Sequence, residues 1–228
     1  ESFPKITRNG FYNNYDFIIK NVNSDTDNSD NYKKDQNYYL SGLFQFNSSF
    51  PLVKEKSGNL QILKPKLALK IAPNFMKDLS KSDGNRLEVD NIFNLDRLAE
   101  NDTLEGGTSL TLGNDFTISD KDKNLEIFGI KLANNIRFEE NDDLPKSNQL
   151  GSKNSNFFGE ISFKPNQILY TKYNVSTKNS LTDVNYENFT AEISINNFVT
   201  TFDYLNENNT SDTKSYLTNT TKLSLNNS

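Results

Sequence analysis

The residues that could carry chemistry in this chain are carboxylates and amines, because histidine and cysteine are both absent. Their absence removes Ser-His and Cys-His nucleophiles, HExxH zinc sites, thiolate metal clusters and disulfides. Asp25, Asp27 and Asp30 look at first like the start of a calcium loop. The sixth position of such a loop needs glycine and the twelfth glutamate, and here they hold Asp30 and Gln36. Asp120, Asp122 and Asn124 fail the same test, with Leu125 and Lys131 in those places, and their composition is that of a tight turn. Glu139, Glu140, Asp142 and Asp143 form an acidic run that could hold divalent ions near phosphates, but it reads first as a loop kept soluble by charge. Triplets such as Asn174-Val175-Ser176 and Asn188-Phe189-Thr190 arise by chance in so asparagine-rich a chain. No catalytic residue, cofactor or metal site is expected.

A second set of charges is more informative because of where its members fall. Lys66, Lys70, Lys131, Arg137, Lys164 and Lys172, with Glu105, Glu160 and Glu192, occupy every-second positions between apolar residues. Successive side chains of a strand point to opposite faces, so such spacing puts charge on one face and hydrocarbon on the other. Leu67, Leu69 and Ile71 thus oppose Lys66, Ala68 and Lys70. Leu104, Thr108, Leu110 and Leu112 oppose Glu105, Gly107, Ser109 and Thr111, while Phe128, Ile130, Leu132 and Ile136 oppose Gly129, Lys131, Ala133 and Arg137.

The elements that must position these charges are therefore strands, and the same period recurs from end to end. It predicts about ten of them: around Phe11 to Val22, Tyr39 to Phe50, Lys66 to Ile71, Leu104 to Leu112, Phe128 to Arg137, Phe157 to Lys164, Leu169 to Val175, Phe189 to Ile195, Phe198 to Leu205 and Ser215 to Leu225. Their connections alternate in length. Long polar ones run from Asn23 to Gln36, Asn74 to Asp102, Glu139 to Asn156, Ser176 to Asp183 and Asn206 to Thr213. Short ones fall at Lys54 to Asn59, Ser119 to Asn124, Pro165 to Gln167 and Asn196-Asn197. Hairpins tight at one end and loose at the other are the pattern of an outer-membrane barrel, with short periplasmic turns and longer extracellular loops. A soluble β-sandwich would also alternate, with less reason to sort its connections by length.

Composition agrees with a barrel. Only 34% of the 228 residues are hydrophobic and no run of about 18 apolar residues exists, so a membrane could be crossed only by strands, which need hydrocarbon at alternate positions. An aromatic content of 12% argues against disorder. Net charge −5 would repel nucleic acid, which is excluded as a partner. The opening Glu1-Ser2-Phe3-Pro4 is neither an initiator methionine nor a signal peptide, so a fragment is expected.

At Asp90-Asn91-Ile92-Phe93-Asn94-Leu95-Asp96-Arg97, followed by Asp102-Thr103-Leu104-Glu105-Gly106-Gly107-Thr108, the sequence resembles the lipopolysaccharide-assembly barrel family, also called organic solvent tolerance protein. That family shows an Asp-x-Asn-Leu-Phe-x-x-x-Arg loop and then Asp-Arg-x-Glu-x-Gly entering a strand, which singles out Asp90, Asn91, Phe93, Arg97, Asp102, Glu105 and Gly107. Here Ile92 stands for the leucine and Thr103 for the second arginine. Phe50-Pro51-Leu52 with Leu63-Lys64-Pro65, and Phe157-Phe158-Gly159 with Phe163-Lys164-Pro165-Asn166, are similar to further family landmarks in the same order.

The resemblance implies an all-β, antiparallel up-and-down meander, a single-domain piece (1–228) of a larger transmembrane barrel whose periplasmic jelly-roll domain and closing strands are absent. It implies residence in the outer membrane of a Gram-negative cell and lipopolysaccharide transport, with no enzymatic step. Implied partners are lipopolysaccharide, a plug lipoprotein, a periplasmic lipopolysaccharide-bridge protein reached through the missing domain, and outer-membrane lipid. The rival readings are a porin or receptor barrel and a secreted β-sandwich adhesin. In the barrel reading Leu67, Leu69, Ile71, Leu110, Leu112, Ile130, Leu132, Ile161 and Phe163 face lipid, while the nine charges face the lumen. There they either meet cargo phosphates and sugars or cross-link the wall, and changing Lys70 should cost much less than placing arginine at Leu69 or Leu132.

Overall fold

The structure, a computed structural model, describes residues 2–25, 36–82, 84–179, 181, 183–208 and 213–224. The alternating residues form one antiparallel sheet of twelve strands: β1 (Lys5–Ile6), β2 (Tyr12–Asp25), β3 (Gln36–Ser49), β4 (Leu52–Lys56), β5 (Asn59–Ile71), β6 (Thr108–Asp120), β7 (Leu125–Arg137), β8 (Phe157–Phe163), β9 (Leu169–Thr177), β10 (Val184–Ile195), β11 (Phe198–Asn208) and β12 (Thr213–Leu223). Neighbours in the sheet are neighbours in the chain, in the order β1-β2-β3-β5 and onward to β12. No described strand joins β12 back to β1, so the sheet is open.

Ten of these are the long strands that the alternation predicts, and the other two have local causes. β1 is a two-residue flap on β2. β4 exists because Phe50-Pro51 interrupts what is otherwise one strand: β3 pairs with the upper half of β5 (Ser49 opposite Lys66) and β4 with its lower half (Leu52 opposite Leu63). Proline has no N–H to give to a ladder, so the strand breaks there. The turn expected at Lys54 to Asn59 is correspondingly shorter, since β4 runs through Lys56 and only Ser57 and Gly58, both at positive φ, make the bend. A second correction concerns Leu104 to Gly107, which is not strand. Gly107 has φ +90°, and β6 starts at Thr108.

All long connections leave from one edge of the sheet and all short turns from the other, as the strand order and direction require. The apolar face is bare. Tyr15, Phe17, Ile19, Leu40, Phe44, Leu112, Leu132, Ile161, Phe163 and Phe202 are exposed, Leu132 at 57%. Leu67, Leu69, Leu110 and Ile130 are intermediate. The opposite face is covered over the middle of the sheet by the chain's own connections, while β12 stays exposed along almost all its length. Leu79, Leu87, Val89, Ile92 and Leu98 from the β5–β6 connection, with Leu144 and Leu150 from the β7–β8 connection, pack on Ala133 and Phe158 of the sheet. Each such fully buried side chain contributes roughly 1.5–3 kcal/mol. Long connections expected to be solvated loops thus supply most of the core.

Candidate functional site

The β5–β6 connection is a strap laid across the covered face. Its neck is closed by two backbone bonds, Ala72 N–H to Gly107 carbonyl (3.2 Å) and Gly107 N–H to Pro73 carbonyl (3.0 Å). From that neck it reaches strands far apart in the sheet. Lys20 of β2 pairs with Asp96 (3.1 Å) and donates to the Thr103 carbonyl (3.0 Å) and, closely, to that of Glu100. Gln45 of β3 donates to the Phe93 carbonyl (2.8 Å), and Lys131 of β7 pairs with Asp90 (2.7 Å). At the far side Tyr186 of β10 donates to Glu88 (2.8 Å), and Arg86, whose guanidinium lies 4.7 Å from the Tyr186 ring centroid, pairs with Glu207 of β11 (2.7 Å).

Glu105 is the centre of this attachment. Its carboxylate takes two parallel bonds from Arg97, Nε to Oε2 (2.7 Å) and Nη2 to Oε1 (2.6 Å), the bidentate geometry that a planar guanidinium favours. Arg137 donates to Oε1 as well (2.6 Å), and the Lys70 ammonium lies 3.6 Å from Oε2. The remaining donors are also used. Arg97 reaches Thr111 (3.0 Å), Asn135 (3.0 Å) and Ser109 (3.2 Å), Arg137 reaches the carbonyls of Gly106 (2.6 Å) and Leu150 (3.0 Å), and Lys70 those of Asn94 (2.6 Å) and Leu95 (3.0 Å). Arg137 thereby ties the β5–β6 and β7–β8 connections to one strand. Burial alone would push the Glu105 carboxyl up, but the charges of Arg97 and Lys70, the Arg97 hydrogen bonds and the charge of Arg137 outweigh it and hold the group well below the usual carboxylate range.

The remaining motif residues serve the same strap. Asn91 folds it locally, accepting from Glu88 N–H (2.8 Å) and donating to the Arg86 carbonyl (2.8 Å). Phe93 offers its ring to the Lys66 ammonium, 4.5 Å from the centroid, and Asp102 pairs with Lys77 (2.6 Å). Thr103, at the arginine position of the family pattern, is fully buried. Its Oγ1 accepts from Lys77 N–H (3.1 Å) and lies 3.2 Å from the Tyr39 hydroxyl. Gly107 is irreplaceable on two counts: its φ of +90° disfavours any side chain, and a Cβ there would stand 2.8 Å from Arg137 Nη1 and 2.9 Å from Asn74 Oδ1. Gly107→Ala is expected to cost more than about 1 kcal/mol, beyond the range of a compatible Gly-to-Ala change, read as a lowered urea midpoint.

The nine sequence-predicted charges all fall on the covered side, in three different environments. Lys70, Glu105 and Arg137 are sealed in the network, with Lys70 only 1% exposed, which overturns the expectation that changing Lys70 costs much less than placing arginine at Leu69 or Leu132. Lys131, Glu160 and Lys172 form a half-open relay, with Lys131 2.9 Å and Lys172 3.9 Å from Glu160. Lys66 pairs with Asp115 (2.9 Å) and Glu192 accepts from Ser194 (3.2 Å), while Lys164 is half-buried near the short-turn edge. Below the strap Lys66 and Lys131 line a cleft of about 460 Å³ with Asn14, Asp16, Asn47 and Asp90. Its three lysines and three aspartates balance in charge, so it offers hydrogen bonds and little net field. Among the described residues no group of three or more acidic side chains is placed to hold a metal ion; Asp27 and Asp30 lie outside them.

Sequence reasoning missed the apolar half of the strap. Its one signal is compositional: Met76, Leu79, Leu87, Val89, Ile92 and Leu98 are many hydrocarbon side chains for a solvated loop. A family model described as LptD, LPS transport system D, matches residues 8–227. No curated protein matches the chain.

Proposed function

The chain belongs to the LPS transport system D family, and on that premise we propose that it forms part of the outer-membrane barrel wall through which lipopolysaccharide is delivered to the outer leaflet. One observation carries this reading: a single sheet presents bare hydrocarbon on one face and a strapped, ion-paired polar surface on the other. An amphiphilic cargo needs both. Its saccharide is costly to place in hydrocarbon and its acyl chains are costly to place in water, so a route between compartments requires a wet side and an oily side of one wall. The work is transport, with no bond made or broken.

The sheet edges at β1–β2 and β12 accept no partner strand among the described residues, and unpaired edges of this length are met by further strands. The open edges support reading the wall as a segment of a larger barrel. A plug lipoprotein within it and a periplasmic lipopolysaccharide-bridge protein, reached through a jelly-roll domain, are the partners that fit this role. The strap, lying on the polar face, is the part of this segment that cargo or plug would meet.

The test is site-directed photo-crosslinking in cells carrying the full-length chain. A photoreactive residue at Lys66 or Lys172, on the polar face, is expected to give adducts with lipopolysaccharide. Absence of such adducts at both sites, while lipopolysaccharide still reaches the cell surface, would remove this face from the route.

A further inference from the structure

On the bare face the cross-strand row Asn114, Leu132, Gly159, Val175 has one missing side chain. Val175 and Leu132 close over Gly159 itself, and the surface around them forms an open groove of about 560 Å³ walled by Leu112, Leu132, Phe157 and Val175, with no charged residue among those that line it. Leu181, in the β9–β10 connection, stands at its mouth. That leucine adopts a left-handed backbone (φ 58°), held by its N–H to the Lys178 carbonyl (2.8 Å), and its side chain is 63% exposed. A left-handed backbone is costly for leucine and persists only where its surroundings hold it, and here it sets hydrocarbon at the groove's mouth.

We propose that this groove seats one acyl chain of a membrane lipid in the leaflet beside the long connections. The inference rests on the reading of the bare face as membrane-facing. The groove is continuous with that face, so its occupant comes from whatever bathes the face. The walls are hydrocarbon with neutral amides, which suits an uncharged chain. Its volume of about 560 Å³ is in the range of a site for one small ligand, which suits a single hydrocarbon chain lying along it.

These 228 residues hold no tryptophan, so once any tryptophan elsewhere in the full-length barrel is replaced by phenylalanine a single introduced indole is the sole reporter. Phe157→Trp reports from the groove wall and Phe163→Trp from the same face of the same strand outside it. With the full-length barrel folded into phosphatidylcholine vesicles carrying a minor fraction of brominated lipid, the Phe157→Trp emission should be quenched severalfold more than that of Phe163→Trp. Adding Gly159→Leu, whose Cβ would meet only Val175 Cγ1 (3.2 Å) and Leu132 Cδ2 (3.5 Å), should bring the two to the same level, and Leu181→Ser should do so without filling the groove. Equal quenching of both reporters before any filling overturns the groove site alone. No quenching of either overturns the membrane-facing reading on which it rests.

Discussion

Replacing Glu105 by glutamine is expected to lower the stability of the folded chain by roughly 3–5 kcal/mol, the usual cost of removing one partner from a buried ion pair. The glutamine can still accept a hydrogen bond, but Arg97 and Arg137 would be left as buried cations without their counter-charge, and Lys70 would lose the carboxylate beside it. The loss should show as a lower urea midpoint and as protease cleavage inside the strap before the sheet unfolds. Acid should mimic the substitution. The folded carboxyl titrates below its ordinary value of 4.5, so its stabilisation is complete above that pH and is lost as pH falls from there through the folded value. Strap cleavage that is already rapid at neutral pH in the unaltered chain would contradict this.

The second large effect belongs to the other face. Leu132→Arg places a charge in mid-strand where hydrocarbon is expected, at roughly 2–4 kcal/mol if that position lies near the bilayer midplane. Folding into lipid vesicles should slow or stop, while folding in detergent should suffer less because micelles deform around a charge. Ser162→Arg, on the opposite face of the adjoining strand and half-buried, is the control and should fold. Equal yields for the two variants in vesicles would deny the division of faces.

The strands were legible because period-two alternation leaves little freedom: a one-residue slip in β5 would exchange Lys66, Ala68 and Lys70 for Leu67, Leu69 and Ile71. The sorting of connections by length was legible for the same reason, since it follows from strand count. What no local pattern could reveal is the strap. Leu87, Val89, Ile92 and Leu98 follow neither a helical nor a strand period, because they are held by a sheet surface and not by a ladder of their own. Phe158 carried the faint signal of an aromatic at a position whose strand neighbours on that face are polar. The motif from Asp90 to Gly107 was visible as a resemblance, but its meaning was not. That Arg97 and Glu105 meet as a bidentate pair depends on Lys70 and Arg137 from strands on either side of β6. The error over Lys70 has the same origin: its strand position fixed its face, while its burial is decided by a segment with no period.

The division of faces itself is tested most directly by labelling single cysteines in the full-length barrel, introduced one at a time into this cysteine-free stretch after any cysteine elsewhere in the barrel is replaced by serine. Positions Ile130, Lys131 and Leu132 of β7 and Ile161, Ser162 and Phe163 of β8 would each carry one, in vesicles, against a water-soluble and a lipid-soluble thiol reagent. The expected result alternates residue by residue: Lys131 and Ser162 react with the water-soluble reagent, and the other four only with the lipid-soluble one. Reaction of Leu132 and Ile161 with the water-soluble reagent at the rate of Lys131 would show that no membrane covers the bare face.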